Sequence, residues 1–122
     1  MSELPILQKT YDLIHWYVPI LTRLPKSHKY ILGDRLIADL YDLMRGLVQA
    51  KYRSEKRELL IELNINLEII RHQNRLLHEF EMIKMERYEY SSKLINDIGT
   101  DLGGWIKQQK RDRPGPKLSK SV

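Results

Sequence analysis

The sequence predicts an all-α protein of one domain, an up-down-up-down antiparallel four-helix bundle. Apolar residues recur three and four apart along four long segments, short breaks separate these segments, and the 122 residues include only 6 Gly, 5 Pro and 1 Phe. Such spacing gives each helix an apolar face, and short connections make successive helices antiparallel neighbours. We expect residues 1–110 to form the bundle and residues 111–122 to form a disordered basic tail.

The first helix is predicted over about residues 4–23. Its apolar stripe has no interruption and consists of Leu4, Leu7, Tyr11, Ile14, Val18 and Leu21. Pro5 suits a first helical turn, where a missing N–H costs nothing. Pro19 is expected to kink the last turns or to end regular hydrogen bonding there.

The second helix is predicted over about residues 29–52, after the break LPKSHK, with Ser27 as its N-terminal cap. Its apolar stripe consists of Leu36, Leu40, Leu43 and Leu47. The regular spacing of these leucines predicts one buried helix face.

The third helix is predicted over about residues 56–81 and carries two apolar strips. The first has heptad spacing and consists of Leu60, Leu63, Leu67, Ile70 and Leu77, with Asn74 in the remaining core position. A buried Asn at such a position can fix helix register at some cost in stability. The second strip consists of Ile61, Ile65, Ile69 and Leu76. Because it is more than one neighbouring helix requires, we expect it to be an oligomer interface.

The fourth helix is predicted over about residues 86–110. Its inward residues are expected to be Leu94, Ile95, Ile98, Leu102, Trp105 and Ile106. Gly99 and Gly103 lie four apart on one face, which predicts close approach of another helix backbone, with fraying of the helix as the alternative.

The sequence lacks the residues of the common catalytic and metal sites. The absence of Cys excludes disulfides, zinc–thiolate sites, iron–sulfur clusters and cysteine nucleophiles. The sequence contains no phosphate-binding GxxxxGK[ST] loop, no GxSxG nucleophile elbow and no HExxH motif. None of the four His follows a Glu by three residues, as bundle metal sites require. We therefore expect no enzyme activity, no cofactor and no metal.

Positive charge is concentrated at the C-terminus. Residues 1–104 hold 15 basic and 15 acidic residues, so the formal net charge of +5 arises entirely from residues 105–122. Basic segments of this kind bind nucleic acid by neutralising phosphates, although a tail kept for solubility has the same composition. Two smaller basic clusters lie at predicted breaks. They comprise Arg23, Lys26, His28 and Lys29, and Lys51, Arg53, Lys56 and Arg57.

The chain is expected to be cytoplasmic. Its first residues lack the basic leader and apolar stretch of a secretory signal, and no apolar run approaches the ~18 residues of a membrane span.

Three segments together resemble a known family of small four-helix bundles. They are LPKSHKYILGDRL, LLIELNINLEIIRHQNRLL and INDIGTDLGGWIKQQK, within about residues 4–110. The family includes the accessory variability determinant of diversity-generating retroelements, and its relatives are bundle proteins encoded within intervening sequences of 23S ribosomal RNA genes. The most specific matches are Pro25, Lys26, Tyr30, Leu32 and Gly33, followed by Ile98, Gly99, Leu102, Gly103, Gly104, Trp105 and Lys107.

This resemblance implies a non-catalytic accessory protein that assembles into a homopentameric barrel. The implied partners are the retroelement reverse transcriptase and its template-region RNA, with DNA or an RNA/DNA hybrid as alternatives. The implied role is support of mutagenic cDNA synthesis and retrohoming.

The basic face of the family maps onto eight residues of this chain: Lys26, Lys29, Arg71, Arg75, Lys107, Lys110, Arg111 and Arg113. For Arg71 and Arg75 the alternative is local pairing with acidic neighbours such as Glu68. An alternative for the whole chain is a protein-interaction oligomer of the intervening-sequence type, without RNA binding. A membrane-surface role for the basic arm is a third possibility, but Leu118 alone is too small an apolar anchor.

Overall fold

The computed structural model describes the backbone of residues 4–112 and the side chains of residues 4–109. Within this range the chain is all-α, with four helices and no strand. Helix α1 is Pro5–Thr22, α3 is Arg57–Glu79 and α4 is Met85–Asp112. Helix α2 runs without interruption through an α-helical turn Lys26–His28, a π-helical turn Lys29–Gly33 and an α-helix Asp34–Tyr52. The tail was predicted over residues 111–122; α4 extends through Asp112, and residues 113–122 lie outside the described residues.

Each helix contacts the helices before and after it in the chain, and α1 also contacts α4. Polar contacts show the antiparallel directions. Lys9 near the start of α1 pairs with Asp101 near the end of α4 at 3.0 Å, and Gln73 late in α3 donates to Asp39 early in α2 at 2.8 Å. The observed arrangement of the helices is therefore consistent with the predicted up-down-up-down bundle.

The antiparallel directions give the bundle two distinct ends. At one end lie the connection between α2 and α3 and the C-terminus of α4. At the opposite end lie the connections from α1 to α2 and from α3 to α4.

The core stripes predicted for α2 and α3 are confirmed. Leu36, Leu40, Leu43 and Leu47 of α2 are completely buried. The heptad positions of α3 are buried as well: Leu60, Leu63, Leu67, Ile70, Asn74 and Leu77. In α4 the buried residues include Ile95, Ile98 and Leu102, while Leu94, Trp105 and Ile106 pack against the core from partly buried positions.

The predicted stripe of α1 is partly wrong. Tyr11 and Val18 are exposed, and Leu4 and Ile14 are only partly buried. The helix instead buries a neighbouring strip, Ile6, Leu7, Thr10, Leu13, Tyr17 and Leu21. Helix α1 has two adjoining apolar strips, so regular spacing alone could not show which of them is buried. The strip with the more regular spacing is not the one that faces the core. Thr10 fits the buried strip because its hydroxyl donates to the Ile6 carbonyl at 2.8 Å.

Two local predictions need correction. Ser27 does not cap α2, because the helix begins one residue earlier and Pro25 precedes it without a side-chain cap. Pro19 lies in the last turn of α1, which ends at Thr22, and the kink that it favours stays a prediction. Gly99 is covered by side chains rather than by a helix backbone, since an added Cβ would lie 2.8 Å from Nη2 of Arg71, and Gly103 has nothing within 4 Å.

A buried polar cluster joins α1, α3 and α4. The Tyr17 hydroxyl donates to Oδ1 of Asn74 at 2.6 Å, and the Ser91 hydroxyl lies 2.9 Å from the same oxygen. The Asn74 amide donates to the Ser92 hydroxyl at 3.3 Å. Burial raises the pKa of Tyr17 well above its usual value, because the phenolate would lose its hydration. The cluster supports the expectation that Asn74 fixes the helix register.

Candidate nucleic-acid interface

The end of the bundle that holds the C-terminus of α4 is rich in basic residues. The α2–α3 connection contacts α4 there, because the Lys56 ammonium lies 5.4 Å from the centre of the Trp105 ring. We call this surface the basic end. Its basic positions are Lys51, Arg53, Lys56, Arg57, Lys107, Lys110 and Arg111, and its acidic positions are Glu55, Glu58 and Asp112.

The basic side chains of this end differ in exposure. Arg53 and Lys107 are exposed, so their charges can reach a phosphate without rearrangement of the core. Lys51 and Lys56 are half-buried, and the Lys51 ammonium lies 5.5 Å from the centre of the Tyr52 ring. Nε of the half-buried Arg57 is shielded from solvent and has no hydrogen-bond partner among the described residues. This end therefore combines two exposed cations with others held against aromatic rings or in the protein surface.

The opposite end is nearly neutral. It holds Lys26, which is exposed, and Lys29, which is half-buried in the π-helical turn of α2. Its basic positions are Arg23, Lys26, Lys29, Arg35, Lys84 and Arg87, and its acidic positions are Asp34, Glu79, Glu81, Glu86 and Glu89. Acidic residues at the α3–α4 connection thus offset the basic residues at the α1–α2 connection.

Arg71 and Arg75 lie on α3 between the two ends, and both are paired with carboxylates. Nη1 of Arg71 lies 2.7 Å from Oε1 of Glu68, and its Nε donates to Oδ1 of Asn96 at 3.1 Å. Arg75 donates from Nε to Oε2 of Glu79 at 2.9 Å. These contacts are the local pairing that the sequence left open as an alternative to nucleic-acid binding.

The eight predicted basic residues do not form a single surface. Lys26 and Lys29 lie at the opposite end, whereas Lys107 and the helical positions of Lys110 and Arg111 lie at the basic end. Helix α4 has 28 residues, and at 1.5 Å per residue it separates the two ends by about 40 Å. Arg113 lies outside the described residues. The structure places a second basic cluster beside the C-terminus of α4: Lys51, Arg53, Lys56 and Arg57. The cluster is visible in the sequence, but only the topology of the bundle shows that it lies near α4.

Two other classes of site are absent from the part of the chain that the structure describes. No group of three or more His, Asp or Glu side chains there could hold a metal ion. None of the described helices is both long and apolar enough to cross a membrane.

Comparison with known proteins identifies the family. No curated protein matches the chain. A family model described as bAvd-like matches residues 4–109, which are nearly all of the four-helix bundle, and the resemblance seen in the three sequence segments is confirmed. Avd-like proteins are accessory, non-catalytic proteins. Because the match covers most of the 122 residues, the chain belongs to the bAvd-like family.

Proposed function

We propose that this protein is a non-catalytic accessory factor of a diversity-generating retroelement. In this proposal it acts in the cytoplasm as a homopentamer, binds the reverse transcriptase and its template RNA, and supports mutagenic cDNA synthesis and retrohoming. The observation that carries the proposal is the bAvd-like match over residues 4–109. The concentration of basic residues at one end of the bundle supports the RNA-binding part.

The charge distribution favours a nucleic-acid ligand of low sequence selectivity. Exposed Arg and Lys side chains gain affinity by releasing counterions from phosphates, whatever the base sequence. The net charge is +5 per chain, so a pentamer would carry about +25 and attract RNA over longer distances than one bundle does. The last helix ends with Asp112 at the basic end, and the basic residues that follow it in the sequence would add to the same RNA contact.

The RNA-binding part can be tested by measuring affinity for a structured RNA as a function of salt concentration. Three proteins are compared with the full chain: a chain ending at Gln109, the variant Arg53→Gln with Lys107→Gln, and the control Arg23→Gln with Lys26→Gln. The two double variants remove the same charge from exposed positions at opposite ends of the bundle.

We expect log affinity of the full chain to fall steeply with log salt. Truncation at Gln109 should flatten this slope by several units summed over the copies, and the basic-end variant should flatten it by about one unit for each phosphate that is no longer neutralised. The control should retain the slope of the full chain. Negligible binding at low salt by every version would contradict the RNA-binding part, and equal effects of the two double variants would contradict the assignment to the basic end.

The reverse-transcriptase part needs a protein-binding measurement. We expect a reverse transcriptase gene and a template repeat to lie beside the gene for this chain. The encoded reverse transcriptase should co-purify with this protein after nuclease treatment. If the gene instead lies within a ribosomal RNA gene and the chain binds only protein partners, the intervening-sequence type of interaction bundle is correct. The exposed apolar strip on α3, with Ile65 at 58% exposure, is the observation that favours this second candidate.

A further inference from the structure

Tyr52 is the most exposed of the large hydrophobic side chains that the structure describes, at 78%. It is the last residue of helix α2, and Ala50, two positions before it, is completely buried. At 100° per residue Tyr52 lies about 200° around the helix from Ala50, on the side away from the core. The Tyr52 ring is not part of the hydrophobic core or of the side chains packed against it. The packing of the bundle therefore does not account for a tyrosine at this position.

Three other exposed tyrosines have contacts within the bundle that cover part of their surface. Tyr11 and Tyr41 are both 54% exposed, and they line the same cavity of about 390 Å³ between α1 and α2. The centre of the Tyr90 ring lies 5.7 Å from that of the Trp16 ring. Tyr52 instead presents most of its side chain to solvent.

Cations flank the Tyr52 ring in the chain. The Lys51 ammonium lies 5.5 Å from the centre of the ring, and the exposed Arg53 follows it. The backbone N–H of Arg53 donates to the Ala50 carbonyl at 3.3 Å, which fixes its position at the end of the helix. Residues 51–57 hold four basic residues and one acidic residue, Glu55. Because neighbouring Cα atoms are about 3.8 Å apart, one nucleotide can contact both the Tyr52 ring and the Arg53 guanidinium.

Trp105 is a second aromatic residue of the basic end, but its ring is less accessible. It packs against the core from a partly buried position, and the Lys56 ammonium lies 5.4 Å from the centre of the ring. The protein itself thus covers part of the Trp105 ring. Tyr52 is the aromatic side chain that a ligand of the basic end can reach.

An exposed ring beside cations is the combination found on surfaces that bind single-stranded nucleic acid. Bases stack on the aromatic ring, while Arg and Lys neutralise the phosphates. In a duplex the face of each base is covered by the next base pair, so only an unpaired base can stack on a protein side chain. Every base has such a face, so the contact tolerates any sequence. This agrees with the low sequence selectivity expected from the charge distribution.

We propose that Tyr52 binds an unpaired base of RNA by stacking, while Arg53 contacts a neighbouring phosphate. The basic end then prefers single-stranded segments, loops and ends of an RNA to its duplex parts. This inference rests on the proposed function, because it specifies which part of the RNA the basic end recognises. The ring provides the contact, and the hydroxyl group of Tyr52 is not required for it.

The test compares the affinities of the full chain and its Tyr52 variants for two RNA probes by fluorescence anisotropy. One probe is an unstructured oligouridylate of about eight nucleotides, the length of one single-strand site. The other is a duplex RNA without unpaired bases. Tyr52→Ala should weaken oligouridylate binding by about 5- to 100-fold and leave the duplex affinity unchanged. Tyr52→Phe and Tyr52→Trp should retain oligouridylate binding, since both keep an aromatic ring.

Salt dependence separates stacking from charge neutralisation. Stacking releases no counterions, so Tyr52→Ala should lower the affinity for oligouridylate without changing the slope of log affinity against log salt. Arg53→Gln should flatten that slope by about 0.7 for the one phosphate that is no longer neutralised. An oligomer of the same length without bases should bind the unmodified chain and Tyr52→Ala equally, because it offers nothing to stack.

Tyr30→Ala is the matched control. Tyr30 is 57% exposed and follows Lys29, as Tyr52 follows Lys51, but it lies at the opposite end of the bundle. This variant should retain the affinity of the unmodified chain for both probes. Circular dichroism should show the same helix content for all variants, since both tyrosines lie on the surface.

Three results would overturn the proposal: equal losses of oligouridylate and duplex binding in Tyr52→Ala, a loss in Tyr52→Phe as large as in Tyr52→Ala, or an equal loss in Tyr30→Ala. Binding of oligouridylate that Tyr52→Ala leaves unchanged would refute the stacking and leave the RNA-binding part of the proposed function standing. Negligible binding of both probes by the unmodified chain at low salt would refute that RNA-binding part, and the stacking with it.

Discussion

The buried contact between Tyr17 and Asn74 allows a quantitative test of the bundle core. Tyr17 is fully buried and Asn74 is 1% exposed, and the bond between them is 2.6 Å long. Tyr17→Phe removes the donor but leaves the Ser91 hydroxyl 2.9 Å from Oδ1 of Asn74. The expected loss is therefore that of one net hydrogen bond, about 1 kcal/mol of unfolding free energy.

Asn74→Leu should cost more than Tyr17→Phe. The Tyr17 hydroxyl then loses its 2.6 Å acceptor and keeps only the weaker pairing with the Ser91 hydroxyl, a penalty of about 1–3 kcal/mol. Ser91 avoids such a penalty because its hydroxyl also lies 2.9 Å from the Arg87 carbonyl. In the double variant the stranded hydroxyl is gone, so the combined loss should be smaller than the sum of the single losses by about 1–2 kcal/mol.

The assay is urea unfolding followed by circular dichroism at one fixed protein concentration, because self-association adds to apparent stability. Tyr41→Phe is the control, since Tyr41 is 54% exposed and should not change the midpoint. If the two single losses add within about 0.5 kcal/mol, the two side chains are not coupled and the role given to Asn74 is wrong.

Other predictions concern single positions and use the same unfolding assay. Gly46→Ala should destabilise by about 1–3 kcal/mol, because the new Cβ overlaps the packed Leu63 side chain. Gly103→Ala, in open space within α4, should stabilise by about 1 kcal/mol. Glu81 has a φ of 62° after α3, so Glu81→Gly should stabilise by a few tenths to about 1 kcal/mol. Because the pKa of Tyr17 is raised in the folded state, its contribution is complete below pH ~10 and falls by about 1.4 kcal/mol per pH unit above it, a loss that Tyr17→Phe should abolish.

The sequence was sufficient to predict those elements whose apolar pattern has one interpretation. The leucines of α2 form a single stripe, and all four are buried. Asn74 interrupts the heptad pattern of α3, and its position alone indicated a buried amide. The starts and ends of helices were less predictable. The segment LPKSHK looks like a break before α2, but the π-helical turn Lys29–Gly33 connects its last residues to the body of that helix.

The sequence showed which basic residues lie close together along the chain, but it did not show which of them share a surface of the folded bundle. Lys56 and Trp105 are 49 positions apart in the chain, and only the antiparallel packing of α3 and α4 brings the ammonium to 5.4 Å from the ring. Conversely, Lys26 and Lys107 look alike in the sequence but lie at opposite ends of the bundle. Whether an Arg pairs locally also depends on side-chain geometry, as the 2.7 Å contact between Arg71 and Glu68 shows.

The misassigned stripe of α1 and the unexplained strip of α3 have one physical cause. A monomeric four-helix bundle needs one apolar face on each helix, and α1 and α3 each have two. On α1 the extra residues, Tyr11 and Val18, line a cavity of about 390 Å³ between α1 and α2. On α3 the extra residues include Ile65 and Ile69, which are 58% and 47% exposed. A periodicity rule cannot distinguish a face that packs inside the chain from one that packs against a neighbour, because both are apolar for the same reason. An excess of apolar faces over core positions therefore marks the helices whose buried stripe cannot be assigned from periodicity alone.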